Sequence, residues 1–231
     1  MLNWTPRTRG WGGTRKGDAH ARNEDAYVLL DHPVRTRGVA DRGCVYAVSD
    51  GVSTVAEGHW ASQLTISRLS QFFDAHTEAS ATAMTALLSE IDWEIRGERS
   101  GRAACTVAVA WIQDGNLHVF QVGDSHVFML RDGDVRCLTE LEGESGKKLD
   151  HFLGMGPAVS EVVRVSEHEV QAGDALLLAT DGVTTLVSAD EFGSIWAKSL
   201  GDPAACTEAI LAAVARQQGG DDATVVATLI L

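Results

Sequence analysis

Apolar residues repeat along this chain with two periods, and the period separates predicted strands from predicted helices. Apolar, β-branched runs at 26–31 and 44–49 predict two strands near the start. Apolar residues spaced three and four apart then predict helices over 57–76 and 80–96. Short apolar runs predict the remaining strands, at 104–112, 116–124, 126–138, 161–170, 175–181 and 223–231. Two further helices are predicted, at 190–199 and 203–217.

The order of these elements indicates the fold class. Strands and helices are grouped rather than alternating, which argues against a doubly wound parallel sheet. Asp-Gly and Gly-Asp turn signals within residues 104–181 indicate an antiparallel meander. We therefore predict an α+β fold, a four-layer αββα sandwich of two antiparallel sheets flanked by helix pairs. No linker-like tract divides residues 1–231, so we expect a single domain.

Composition and charge exclude several classes of protein. The net charge of −13 argues against a nucleic-acid partner, which requires an excess of Lys and Arg. The four cysteines are scattered, so we expect neither a disulfide framework nor a zinc site. We see no apolar signal-peptide core, and the longest apolar runs are far short of a membrane span. These features are typical of a cytoplasmic protein without a membrane partner.

Acidic residues adjoin the predicted strands at five places along the chain. They are Glu24-Asp25, Asp50, Asp124, Asp181 and Asp221-Asp222. Carboxylates gathered in one place repel one another and resist ionisation unless a cation is present. Mg²⁺ and Mn²⁺ are the cations that prefer such oxygen ligands. A glycine follows Asp50 and Asp181, and we expect it to let the backbone approach a metal, with its carbonyl oxygen as a possible ligand.

Each Asp-Gly pair also has a simpler interpretation, because Asp-Gly is a common hairpin turn. Asp132-Gly133 is predicted to be only that. A structural domain with Asp-Gly turns and no site is therefore one hypothesis. It does not explain why the acidic positions recur in a fixed order beside apolar strands.

The ordered acidic motifs resemble those of the protein phosphatase 2C family of metal-dependent protein phosphatases. The family's N-E-D-A, D-G, V-G-D-S, S-D-G and D-N-x-T-V-V motifs correspond to residues 23–26, 50–51, 122–125, 180–182 and 221–226. In this chain the fourth motif is T-D-G and the last is D-D-A-T-V-V. The similarity extends from about residue 12 to residue 230 and is typical of a compact, bacterial-like member.

The resemblance implies a centre of two divalent cations, Mn²⁺ or Mg²⁺. Asp50 would bridge the two ions, and Asp181 and Asp221 would complete the ligands of the first. These three aspartates are the implied catalytic residues.

The second ion would be bound by the Gly51 carbonyl and by an acid of the N-E-D motif. Neighbouring strand residues point to opposite faces, so Glu24 and Asp25 cannot serve equally. The resemblance favours Asp25, because related sequences carry Gln before that aspartate. Asp124 matches an acid that helps to bind a third, weaker ion.

The activity implied by the resemblance is hydrolysis of phosphoserine and phosphothreonine in proteins. A water that bridges two divalent ions supplies hydroxide near neutral pH and attacks the phosphate in line. The implied partner is a phosphorylated protein, the substrate of a serine/threonine kinase.

The phosphate-binding position departs from the family pattern. The usual arginine four residues before the N-E-D glutamate is His20 here, and Arg22 lies two residues nearer. An extended segment would place His20, Arg22 and Glu24 on one face, so either basic residue could contact phosphate. The alternative is that His20 is a loop residue and Arg22 a surface charge.

A second hypothesis for the whole chain is a pseudophosphatase that binds a phosphoprotein without turnover. The His20 replacement favours it, whereas the retention of every acidic ligand position favours an enzyme. Residues 139–156 are compact where the family has a mobile flap, so we do not expect substrate selection by a large flap.

Overall fold

The chain is built from ten strands and six helices in its described part. The computed structural model describes residues 6–31, 42–74, 79–140, 151–154, 159–217 and 220–231. The strands are β1 (Thr8–Arg15), β2 (Ala26–Leu30), β3 (Cys44–Ser49), β4 (Val107–Gln113), β5 (Asn116–Val122), β6 (His126–Arg131), β7 (Asp134–Cys137), β8 (Arg164–Glu169), β9 (Ala175–Ala179) and β10 (Ala223–Ile230). The helices are α1 (Gly58–Asp74), α2 (Ala81–Arg99), α3 (Val159–Val162), α4 (Asp181–Thr184), α5 (Ala189–Lys198) and α6 (Pro203–Arg216).

The strands form two antiparallel sheets. One has the strand order β1-β10-β9-β6-β7 and the other the order β2-β3-β4-β5-β8. The helix boundaries follow local capping chemistry: Ser80 accepts a hydrogen bond from the N–H of Ala83 at the start of α2. Ser188 and Glu191 form a capping box at the start of α5.

Alternation along the central strands divides the interior into three apolar layers. Tyr46 and Val48 of β3 pack with Leu176 and Leu178 of β9 between the sheets. The alternate residues of β3 face α1 and α2, and those of β9 face α5 and α6. A strand that is buried on both faces has a continuous apolar sequence, as β3 and β9 do. The prediction of a four-layer α+β sandwich is confirmed.

Several predicted elements differ from the structure in detail. The glycine-rich strand β1 was not predicted, because its Gly10, Gly12 and Gly13 carry no apolar signal. A Cβ at Gly10 or Gly12 would overlap a tyrosine ring of the facing sheet. The predicted meander is wrong as a single unit, because β5 pairs in one sheet and β6 in the other. Only its hairpins remain, among them the predicted Asp132-Gly133 turn, where both residues have positive φ.

Several predicted boundaries shift, and the predicted strand 126–138 divides into β6 and β7. Strand 104–112 begins at Val107, and the first residues of the predicted strand 161–170 belong to the short helix α3. Helix 57–76 runs to Asp74, and its last predicted residues lie outside the described residues. The expectation of a compact segment at 139–156 falls mostly outside them too. No helix in the described ranges combines the length and apolarity that a bilayer span requires.

The loop before β10 approaches the start of α4 so closely that only glycine fits between them. A Cβ at Gly182 would overlap the carbonyl oxygen of Asp222. Gly97, on the exposed side of α2, has open space around it.

We expect Gly182→Ala to lower the free energy of unfolding by more than about 2 kcal/mol, because the backbone must separate. Gly97→Ala is the control and should raise it by about 0.5–1 kcal/mol, because Ala favours the helix. Denaturant unfolding measures both. An equal, small effect of the two substitutions would contradict the close approach.

Candidate metal centre

Asp50 directly follows the last residue of β3, and the pairing of β3 with β4 fixes its position. The β3–β4 pairing continues past the last strand residue as a bridge between Gly51 and Cys105. The N–H of Thr106 donates to the Asp50 carbonyl at 2.8 Å, and the Asp50 N–H lies 3.3 Å from the Thr106 hydroxyl. Thr106 Oγ1 is also 2.7 Å from Ser125 Oγ. These contacts with Thr106 therefore fix the backbone of Asp50.

Asp181 and Asp221 come from the second sheet. The N–H of Thr180 donates to the Thr224 carbonyl at 3.1 Å, and the N–H of Thr224 donates to the Thr180 hydroxyl at 3.0 Å. This pairing of the ends of β9 and β10 places the two aspartates beside one another. Asp181 starts α4 rather than occupying a turn.

Asp222 ties the N-terminal segment to this pair. Its two carboxylate oxygens accept hydrogen bonds from the N–H groups of Gly17, at 2.8 Å, and Glu24, at 2.7 Å. The carbonyl of Glu24 in turn accepts the N–H of Gly51 at 3.0 Å. Asp222 is fully enclosed, with 1% of its surface exposed. One carboxylate thus fixes the segment that carries Glu24 and Asp25 against both sheets.

Glu24 and Asp25 occupy different environments. Asp25 is buried and accepts a hydrogen bond from the Thr180 hydroxyl at 2.9 Å. Burial raises the pKa of the Asp25 carboxyl to about 7. Glu24 packs where Gly51 and Gly58 meet, and burial raises its pKa as well. A Cβ at either glycine would clash with the other's backbone, so these glycines serve contacts within the protein.

Mutual repulsion dominates the electrostatics of the site. Burial raises the pKa of Asp50 well above its ordinary value, and the negative charges of Asp25 and Asp181 raise it further. Burial and the Asp181 charge also raise the pKa of Asp221. The four carboxyl groups therefore disfavour full ionisation in the absence of a compensating cation.

A cavity of about 440 Å³ opens at this point. Its lining comprises Asp50, Gly51, Val52, Ser53, Thr54, Thr106, Asp124, Phe152, Asp181 and Asp221. Every predicted metal ligand except Glu24 and Asp25 is in this set, and those two lie behind Asp50 and Gly51. The structure brings the predicted residues together, while their roles as ligands stay predictions.

His20 and Arg22 are not part of the cavity lining. The segment bends at residues 18–22, so the extended conformation that would place His20, Arg22 and Glu24 on one face is not present. His20 Nδ1 lies 3.7 Å from Asp221 Oδ1 and 3.5 Å from Asp222 Oδ2. Arg22 is exposed, with Nη1 3.3 Å from His59 Nε2. Their roles in phosphate binding stay predictions.

The carboxylates fit divalent cations. Three buried carboxylate oxygens, Asp25 Oδ1, Glu24 Oε2 and Asp181 Oδ1, have no hydrogen-bond partner. A buried charged oxygen without a partner is costly, and a cation with oxygen ligands removes that cost. Within the described ranges, no three acidic, histidine or cysteine side chains already close around one point.

The roles of three residues of the site were not predicted. Thr106 is a polar residue within the apolar run 104–112, and this interruption was the available signal. Asp222 was noted only as part of a motif, although its carboxylate anchors the N-terminal segment. No sequence signal placed Phe152 in the cavity, because its partner strand is distant in the chain.

Comparisons with known proteins agree with this geometry. Residues 13–215 match the protein phosphatase 2C family model. The chain therefore belongs to the protein phosphatase 2C family.

Among curated proteins, it is 26% identical to the serine/threonine protein phosphatase PstP of Mycobacterium tuberculosis, over 78% of this chain. The match spans 39% of that relative, so the chain corresponds to less than half of its length. The assignment of residues 1–231 to one domain stays a prediction.

Solved structures show the same fold at low sequence identity. PppA of Pseudomonas aeruginosa is 18% identical with a TM-score of 0.82, covering 97% of this chain and 98% of that one. The catalytic domain of PstP in complex with two manganese ions is 22% identical with a TM-score of 0.76, covering 98% and 100%. Stp1 of Staphylococcus aureus is 16% identical with a TM-score of 0.82, covering 96% and 94%.

The raised pKa of Asp25 makes the stability of the metal-free protein depend on pH. The folded state holds this proton up to a pKa of about 7, whereas an unfolded aspartate loses it near the ordinary pKa of 3.8. The folded state binds more protons between these values, so its stability falls as the pH rises. We expect a loss on the order of 2 kcal/mol between pH 5 and pH 7.5 in chelator.

The measurement is the melting temperature across this range in chelator, for the natural chain and for Asp25→Asn. The variant should show a shallower fall, and Mn²⁺ should stabilise the natural chain most at the higher pH. An unchanged slope in Asp25→Asn would contradict the assignment.

Proposed function

We propose that this chain is a metal-dependent serine/threonine protein phosphatase that uses two Mn²⁺ or Mg²⁺ ions. The single observation that carries the proposal is the set of mutually repelling, partly buried carboxylates at one cavity, with unpartnered buried oxygens on Asp25 and Asp181. Membership of the protein phosphatase 2C family supports it. The similarity to a phosphatase domain solved with two manganese ions supports the choice of metal.

The ligand assignment follows the positions of the side chains. The charges of both Asp25 and Asp181 act on Asp50, which supports Asp50 as the residue that would bridge two ions. Asp181 and Asp221 would bind the first ion, and Asp25 and the Gly51 carbonyl the second. Asp25 is preferred to Glu24 because Asp25 lies against Asp50, whereas Glu24 points to the start of α1.

Asp124 lines the same cavity, and we propose it as a ligand of a third, weaker ion. Ser53 and Thr54 place exposed hydroxyl groups at its rim.

Bound divalent cations supply Lewis-acid activation of a water and screening of the phosphoryl charge. The chain contributes the fixed geometry around them: Asp222 and Thr106 hold the backbone on which the ligands are mounted. The attacking water forms a new P–O bond while the bond to the serine or threonine oxygen breaks. One proton of the attacking water ends on that leaving oxygen, giving inorganic phosphate and the free hydroxyl side chain.

The substrate class is a phosphorylated protein, the product of a serine/threonine kinase. The relatives named as serine/threonine phosphatases support this class.

The proposed location is a reducing cytoplasm. All four cysteines are free thiols, which agrees with that location: Cys44, Cys105, Cys137 and Cys206.

The test of the proposed function is hydrolysis of para-nitrophenyl phosphate and of a phosphothreonine peptide after the protein has been stripped with chelator. Activity should appear on addition of Mn²⁺ or Mg²⁺. Asp50→Asn and Asp181→Asn should each lower kcat/KM more than about 100-fold, because each removes a charge from the metal ligands. Asp132→Asn removes the same charge from a hairpin turn and should leave activity unchanged.

Full activity without divalent metal would overturn this mechanism. Calorimetric binding of Mn²⁺ with no hydrolysis of either substrate would instead support the pseudophosphatase hypothesis.

The role of His20 has its own test. We expect His20→Ala to raise KM and the inhibition constant of inorganic phosphate about tenfold, because a donor beside Asp221 is lost. Arg22→Ala tests the second basic candidate in the same way. His168→Ala, on the edge strand β8, is the control. If kcat/KM and phosphate inhibition are unchanged in both variants, phosphate is bound by other groups.

A further inference from the structure

Phe152 is the single aromatic side chain among the described residues that line the cavity. Neither the hydrolysis nor metal binding uses it, since a phenyl ring offers no ligand atom and no proton. A large apolar group beside a cluster of carboxylates needs another explanation.

Strand register places Phe152 in line with Asp50 across three neighbouring segments. Gly51 pairs with Cys105, and Cys105 pairs with Leu153, both antiparallel. Continuing these registers by one residue places Asp50 opposite Thr106 and Thr106 opposite Phe152. Residues directly opposite in antiparallel strands point to the same face, and all three line the cavity. Phe152 therefore lies two strand spacings from Asp50, about 10 Å along the cavity wall.

Hydrogen bonds and packing fix the backbone that follows this ring. Leu153 and Cys105 exchange hydrogen bonds of 3.1 and 2.8 Å, and Leu153 is fully buried. The N–H of Gly154 donates to Asp92 Oδ1 at 2.7 Å, and Asp92 is buried on α2. A Cβ at Gly154 would meet the Ala103 carbonyl and the Ile95 side chain at 2.5 Å. The ring is thus mounted on an ordered wall of the cavity.

The cavity is larger than a phosphate group requires. Its volume of about 440 Å³ lies within the range of pockets that enclose a small organic ligand. A phosphate held beside Asp50 leaves the far part of the cavity for the group esterified to it. In-line attack sends that group away from the incoming water.

We propose that Phe152 is a specificity-determining residue that contacts the group esterified to the phosphate and favours apolar or aromatic groups there. This inference rests on the proposed function. Val52, which also lines the cavity, extends the same apolar surface. The preferred ligands are aryl phosphates and phosphothreonine, whose γ-methyl group adds apolar surface that phosphoserine lacks.

The first experiment measures inhibition by two phosphonates in the metal-loaded enzyme, with para-nitrophenyl phosphate as the reporter. Phe152→Ala should weaken phenylphosphonate about five- to tenfold, because an aromatic contact and buried apolar area are lost. Methylphosphonate should change by less than about twofold, because it fills only the phosphate end. Phe152→Leu should recover part of the phenylphosphonate affinity.

The second experiment compares two peptides that differ only in carrying phosphothreonine or phosphoserine. Phe152→Ala should lower the ratio of their kcat/KM values about fourfold, the value of one buried methyl group. Trp93→Ala removes an aromatic side chain that is 74% exposed on α2 and should leave the ratio unchanged. Melting temperatures of all variants show whether each is folded.

The outcomes separate the inference from the function on which it rests. An equal loss for both phosphonates, or an unchanged peptide ratio in folded Phe152→Ala, overturns the role of Phe152 and leaves the phosphatase intact. Absence of hydrolysis by the natural, metal-loaded chain overturns both.

Discussion

Repulsion among buried carboxylates is the constraint on which the rest of this structure depends. Asp25, Asp50 and Asp181 come from three separate segments and meet in a partly enclosed space where water cannot separate their charges. Such an arrangement lowers the stability of the fold unless protons or cations neutralise it. The rest of the molecule must therefore hold these side chains together against their own repulsion.

The two sheets provide most of that restraint. The tightly packed layer between them fixes the ends of β3 and β9, from which Asp50 and Asp181 emerge. Asp222 supplies the remaining connection, since its two oxygens accept hydrogen bonds from the backbone of the N-terminal segment. Gly51 and Gly182 allow the backbones to approach more closely than any side chain would permit.

The same arrangement separates the proposed metal ligands from the proposed substrate contacts. Asp50, Asp181 and Asp221 lie next to the ends of central strands, where packing determines their positions. The groups proposed to face the substrate lie on connections: Val52, Ser53 and Thr54 before α1, and Phe152 in the segment that pairs with Cys105. Connections tolerate sequence change better than central strands do. We therefore interpret the metal site as the common part and the surrounding wall as the part particular to this chain.

The sequence by itself determined the layered architecture and the acidic residues of the site. Strands such as 44–49 and 223–231 are buried on both faces, so their apolar runs are continuous and easily identified. The glycine-rich β1 lacks that signal, since its glycines are selected by contact with Tyr27 and Tyr46 in the other sheet.

Only the tertiary structure decided that His20 faces Asp221 and Asp222. It also decided that Arg22 contacts His59. The strand register that aligns Phe152 with Asp50 was likewise decided by the tertiary structure. The physical reason is that these contacts join residues far apart in the chain. No local periodicity encodes such contacts, because they depend on strand register and on how the loops pack.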